Sequence, residues 1–367
     1  MTRHYLDHAS TSPARPEVVE AMLPWLTGEG AGDPGRVHTE GRMARAAVEE
    51  AREQVAALVG ARPREVVFTS GATEAINAVS WGVGGPVACA RVEHSAVRDS
   101  ASRHDVVDLA VDRLGRIDVD SVRAALDRGV RLVHCQWGNH EVGTVQAVAE
   151  VVALCRERGV LVHVDAAQAV GHVPVSFREL GADLLSVSAH KFGGPKGIGA
   201  LVVRRGLRIE PFLVGGEQER ARRAGMENVP AIVGFGAAAA AVAVEQEAVQ
   251  QRALVQHVVD AALAVEGVHR YGDPGEAGSL PHLACFAVEG VEAEPVLLGL
   301  DQAGVAAHSG SACSSESLEP SPVLEAMGVE AERSLRVSVG WSTTQEDVDA
   351  FADAFPRVVA RLRALAS

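Results

Sequence analysis

The sequence predicts an α/β protein with a mostly parallel central sheet and a smaller α+β C-terminal domain. From about residue 64 to residue 204, short β-branched runs alternate with helical stretches, the pattern of a parallel sheet covered by helices on both faces. Beyond residue 252 the order changes to helix, strand, helix, loop, helix, strand and closing helix, the layout of a second unit. The length, 367 residues, accommodates two such units. The expected division is a large domain over 15–250 and a small one made of 1–14 plus 251–367.

Residues 65–69 (EVVFT), 87–90, 131–136 (RLVHCQ), 160–164 (VLVHV), 184–187 and 200–203 read as buried strands. Helical spacing occupies 72–83 and 148–158 between them. The Ala-rich stretch 229–251 reads as a helix leading out of the large domain, followed by a helix over 252–265. A strand at 282–288, a helix at 294–303, a helix at 322–327 and a strand at 335–339 come next. In the closing helix, 345–365, Val348, Phe351, Phe355, Val358, Val359 and Leu362 form one apolar stripe.

Composition narrows the function classes. The net charge is −14 and acidic residues are spread along the chain, so there is no basic footprint for direct nucleic-acid binding. Arg357, Arg361 and Arg363 read as a solvated helix face. The five cysteines, Cys89, Cys135, Cys155, Cys285 and Cys313, are odd in number and form no CxxC pair. That favours a reduced compartment and no metal site. No run of about eighteen apolar residues occurs and MTRHYLDHAS carries no apolar leader, so a cytoplasmic protein without a membrane span is expected.

The chemistry-bearing motifs each follow a predicted strand, where ligands sit in such sheets. Lys191, after LLSVS, can be desolvated and held as the neutral amine that attacks a carbonyl. Taken alone it reads more readily as a surface lysine before a turn. GGPKGIG lacks the GK[ST] ending of a nucleotide-binding loop. Asp165 ends VLVHVD, and a carboxylate there needs a cation, which a protonated pyridine ring supplies; capping the next helix is the plainer reading. Thr69-Ser70-Gly71-Ala72-Thr73-Glu74 opens a helix with small residues, which suits a phosphate at the helix N-terminus or an ordinary cap. His94 can lie flat on an aromatic ring, although a lone histidine is more often structural. A lysine, an acid, a phosphate cradle and a stacking histidine together describe a site for pyridoxal 5′-phosphate (PLP).

Order and spacing resemble the IscS/NifS-like cysteine desulfurases of the class V aminotransferase group. The resemblance runs through YLDHASTSPARPEV, TSGATEA, EHSAV, NHEVGTVQ, HVDAAQAVG, SAHKFGGPKGIGAL, RRAGMENVPAIVGFG, SGSACSSESLEPSPVL and SLRVSVG. It implies the fold type I of PLP-dependent transferases. It also implies that Lys191 bonds the cofactor and moves the α-proton, that Asp165 pairs with the ring nitrogen, and that Gln168 faces the ring oxygen. Thr73, Ser188 and His190, with the backbone around Ala72, would hold the phosphate, and His94 would stack on the ring and serve catalysis. Arg336 would receive the carboxylate of L-cysteine, with Asn139 beside it. Cys313, in the Ser- and Gly-rich SGSACSS, would be the nucleophile that carries a persulfide to a protein sulfur acceptor.

Two positions depart from the pattern. His140 stands where the family has the second Asn of Asn-Asn-Glu; it still donates a hydrogen bond near the cofactor but is bulkier and titratable. Met226 replaces a Thr that reaches the phosphate of the neighbouring subunit, which weakens that contact in the implied homodimer. Iron–sulfur cluster assembly, tRNA thiolation, DNA sulfur modification and small-molecule thiolation are all open destinations for the sulfur. An aminotransferase or lyase on the same scaffold, or a PLP-holding sulfur-relay subunit, are the rival readings.

Overall fold

The computed structural model describes residues 2–27, 30, 32–309 and 320–366. Twelve strands follow along them: β1 (His4–Tyr5), β2 (Val66–Thr69), β3 (Val87–Ala90), β4 (Val106–Leu109), β5 (Leu132–Gln136), β6 (Leu161–Asp165), β7 (Leu184–Ser188), β8 (Gly199–Val203), β9 (Val268–Tyr271), β10 (Leu283–Val288), β11 (Val305–Ala306) and β12 (Ser334–Ser338).

Seven of them form the central sheet in the order β2-β8-β7-β6-β5-β3-β4. Only β8 runs against the others, pairing antiparallel with both β2 and β7. The remaining neighbours are parallel, so their carboxyl ends share one edge. Strands β2, β3, β5, β7 and β8 are buried throughout, which is why they read as unbroken apolar runs. β4 escapes sequence reading because it is an edge strand with an exposed and polar pattern (VVDL).

The reversal at β8 follows a short turn after Lys191, and it brings Gly199 against Gly71. A Cβ on Gly199 would lie 2.5 Å from the Val187 carbonyl and 2.7 Å from Gly71 Cα, so only glycine allows this approach. One consequence is that the loop before the helix Ala72–Val83 is held tightly over the sheet edge.

The smaller α+β part carries the antiparallel sheet β12-β10-β9 and the parallel pair β1-β11. Its core joins Leu6 to Leu254, Val258, Phe286, Phe351 and Phe355, separate from the cores on the two faces of the large sheet. The expected helix over 229–251 is corrected here: helices Val229–Ala241 and Val244–Leu263 meet at a 77° bend. Val242 turns extended at ψ 122°, ending the first helix. An Ala-rich run marks a helix but carries no signal for where neighbouring packing will break it. Among the described residues, no single helix is long and apolar enough to cross a membrane.

Candidate active site

The loops after β2, β3, β5, β6 and β7 line one cavity of about 520 Å³. Ala72, Thr73, His94, His140, Asp165, Gln168, Ser188, His190, Lys191 and Arg336 are all on its wall. Arg336 arrives from β12 in the smaller sheet, while Ala9, Ser10 and Thr11 close the cavity from the N-terminal segment.

On the floor, Asp165 is 8% exposed at the end of β6. Its Oδ1 accepts from the Ser186 hydroxyl at 2.8 Å and from Ala167 N at 3.1 Å. Oδ2 takes no hydrogen bond from the described residues, and a carboxylate with that opening at a cavity suits a cationic partner. Lys191 ends the short 3-10 turn after β7, and its Nζ donates to the carbonyls of Ala9 at 2.7 Å and Ser10 at 3.0 Å. Gln168 donates from Nε2 to the same Ala9 carbonyl, at 2.7 Å. Gly71 caps the helix Ala72–Val83 without a side chain, so the amides of its first turn lack a side-chain acceptor there. Ser188 and His190 line the same cavity. Burial, with Lys191 and Lys196 close by, lowers the His190 pKa to about 4, so the ring is neutral and Nδ1 pairs with Thr11 Oγ1 at 3.1 Å.

At the rim, Arg336 is 1% exposed, and its Nη2 donates to Asp7 at 2.9 Å and its Nη1 to the His140 carbonyl at 2.8 Å. Its Nε is buried with no acceptor among the described residues, capacity that a carboxylate can use. His94 accepts Ala96 N on Nδ1 at 3.1 Å and meets the His140 ring edge-on, with centroids 5.1 Å apart. Asn139 lies outside the cavity wall. It is fully buried and uses its amide to hold the turn, accepting from the amides of Glu141 and Val142 at 2.8 Å each and donating to Val92 O at 3.0 Å. Met226 is 68% exposed and is not on the wall either. Cys313 falls at a position outside the described residues.

Sequence reasoning missed a layer beneath the wall. His172 and His282 stack with centroids 3.6 Å apart. His282 Nε2 pairs with Gln168 Oε1 at 3.1 Å, and His172 Nε2 lies 3.2 Å from the Lys191 carbonyl. Burial pushes both rings well toward the neutral form. GHVPV and LPHLA hold no pattern that announces this stack; the two histidines are 110 positions apart and meet only when the two sheets do. Ala9 and Ser10 act through backbone oxygens, which side-chain motifs do not report. The four described cysteines are buried, and burial raises their thiols: Cys89, Cys155 and Cys285 to about 12, and Cys135 well above its ordinary value.

The described donors fit a phosphorylated pyridine ring: a helix start able to hold an anion, a carboxylate oxygen on the floor and a lysine on the same wall, in a cavity of ordinary small-molecule size. The comparison with known proteins agrees. The family profile "Aminotransferase class-V" matches residues 4–351. The chain belongs to the class-V aminotransferase family, among the IscS/NifS-like cysteine desulfurases. It is 40% identical over 379 residues to cysteine desulfurase IscS of Dictyoglomus turgidum, covering 98% of this chain and 95% of that protein. A solved NifS-like protein superposes with a TM-score of 0.91 at 30% identity, covering 98% of this chain and all of the other. A structure of SspA in complex with cysteine superposes with a TM-score of 0.80 at 29% identity, over 92% of this chain and 98% of the other. The large mixed sheet and the smaller α+β part are thus those of the fold type I enzymes.

Proposed function

We propose that this chain is a PLP-dependent cysteine desulfurase that works as a homodimer. It takes the sulfur of L-cysteine, releases L-alanine, holds the sulfur as a persulfide on Cys313 and passes it to a protein acceptor. The convergence of Lys191, Asp165 and the Gly71–Thr73 helix start on one cavity beside Arg336 carries this reading. A solved relative that binds cysteine supports the substrate.

When bound, PLP supplies an electron sink that acidifies the substrate α-carbon and weakens its Cβ–S bond. Asp165 Oδ2 would accept the ring N–H and so keep the ring protonated. The amides at Ala72 and Thr73, with Ser188 and neutral His190, would hold the phosphate. Lys191 Nζ, released from its carbonyl partners, would carry the α-proton. Arg336 would take the substrate carboxylate, and the restricted Arg geometry would fix which bond at the α-carbon faces Lys191. Four buried, high-pKa thiols are poor nucleophiles, which leaves the attack on sulfur to Cys313. Apolar side chains exposed on and after the helix Pro16–Leu26, namely Leu23, Leu26, Val37 and Met43, support a subunit contact.

Alanine release from L-cysteine by wild type and Cys313→Ala, with an absorbance scan for bound cofactor, tests the reading. Cysteine-dependent alanine that is lost in Cys313→Ala is the expected result. Equal activity in both proteins would replace it with a lyase or aminotransferase.

A further inference from the structure

His94, His190 and His140 all face the cavity, but their surroundings give them different capacities for a proton. His94 uses the lone pair of Nδ1 to accept Ala96 N. Its neutral ring therefore carries hydrogen on Nε2 and acts toward the cavity as a donor. His190 is a poor base at neutral pH, because burial and two lysines oppose its charge. His140 is placed differently. Its Nε2 lies 3.5 Å from Glu141 Oε1, an ion-pair distance. Glu141 is 2% exposed, and its other oxygen accepts the Ser321 hydroxyl at 2.5 Å. A buried carboxylate at an imidazole edge stabilises the imidazolium and so strengthens the ring as a base.

We propose that His140, supported by Glu141, is the proton acceptor of this cavity, while His94 is a donor. The inference deepens the desulfurase reading and rests on it for the substrate. Cysteine arrives as an ammonium ion, and its nitrogen has no lone pair until a proton leaves. Arg336 links the two events, since its Nη1 donates to the His140 carbonyl. A carboxylate on that guanidinium would leave the α-nitrogen, two bonds from the carboxyl carbon, within the cavity whose wall carries His140. Transfer converts ammonium and imidazole into amine and imidazolium. The same proton returns to the amino group of L-alanine as it departs, so each cycle closes with His140 neutral. Glu141 touches no substrate; it is a positioning residue that acts through the His140 charge.

Other groups face the pair from every side. The Ser321 hydroxyl, Arg336 on β12 and Arg98 on the helix Ser95–Ala101 favour the ionised Glu141, the His94 ring lies nearby, Asp7 lies beyond Arg336, and Cys285 faces it from β10. Burial nonetheless lifts Glu141 to about 7. At 3.5 Å the protonation of either group bears on the other.

The test is the pH profile of kcat/KM for alanine release by wild type, His140→Asn and Glu141→Gln, run beside a histidine-ring NMR titration of the same proteins. Below the pair's transition the base is protonated, so wild type should show an acid limb. His140→Asn should erase that limb and lower the high-pH plateau by about tenfold or more. Glu141→Gln should move the limb, and the His140 ring signal, to lower pH. A His140→Asn profile of unchanged shape overturns the proposal, as does a His140 titration indifferent to Glu141→Gln. Should Glu141→Gln fail to fold, the His140→Asn profile decides alone. The NMR arm separates the two failures. No alanine from any protein, with a coupled titration, sinks the desulfurase reading and keeps the pair. Alanine from all three with one pH dependence sinks only the pair.

Discussion

The floor of the cavity and its rim are built in different ways. The floor comes from adjacent parallel strands in register: Gln136 on β5, Asp165 on β6 and Ser186 on β7 sit side by side, and Ser186 binds Asp165 directly. The rim joins distant chain. Arg336 meets Asp7 across 329 positions, and Thr343 meets His8 across 335. A polar group on the floor is held by the sheet that positions it. A polar group on the rim is held only while the N-terminal segment and the smaller sheet stay docked. The floor therefore suits chemistry that needs fixed geometry, and the rim suits substrate entry.

That contrast can be broken by substitution. Lys191→Ala on the floor should lower alanine release by about a thousandfold or more, since on the proposed function it removes both the cofactor bond and the proton carrier. The KM should then be of little consequence, and a loss under tenfold would mean that another group carries the proton. Arg336→Lys on the rim should act mainly on substrate affinity. Losing the planar fork costs about 1.5–3 kcal/mol, a KM increase of about ten- to a hundredfold, with kcat changing less. Steady-state kinetics separates the two, and a kcat defect larger than the KM defect would place Arg336 with the floor.

The smallest effect concerns pH. His8 binds Ser12 and Thr343, and His190 binds Thr11, so two neutral imidazoles pin the N-terminal part of the rim. Burial, the main cause, lowers both to about 4. A histidine whose folded pKa is depressed binds fewer protons in the folded state, so its contribution is present above about 6.5 and lost as pH falls toward 4. Amide protection, corrected for the intrinsic pH dependence of exchange, should accordingly fall in residues 8–12 between pH 6.5 and 4 before it falls in β5, β6 and β7. Glu93 beneath the floor has the opposite sign. Burial raises it to about 8, and its Oε2 has no partner among the described residues. Its contribution therefore weakens as pH climbs from about 4.5 to 8. Simultaneous loosening of floor and rim in acid would remove the distinction.

Much of the floor was legible in the sequence. Residues 72–83 were read as a helix with the observed ends, and Lys191, Asp165 and the TSGATE turn each followed a β-branched run, because buried parallel strands need apolar side chains on both faces. Less of the rim was legible. Asn139, expected at the substrate, braces the turn that presents His140 and is not on the cavity wall. The stacked His172 and His282, the Ala9 carbonyl shared by Lys191 and Gln168, and the bend at 242–243 left no periodic trace.

By itself the sequence determined the alternation of strands and helices, the strand ends at which polar residues gather, and the family. These depend on local periodicity and on short-range spacing, which the chain carries in one dimension. Only the tertiary structure decided the reversal of β8, the closure of the cavity by residues 9–11, and the pairing of His140 with a carboxylate that also holds Ser321. Those depend on which distant surfaces exclude water together, and desolvation sets the charge of each group enclosed there.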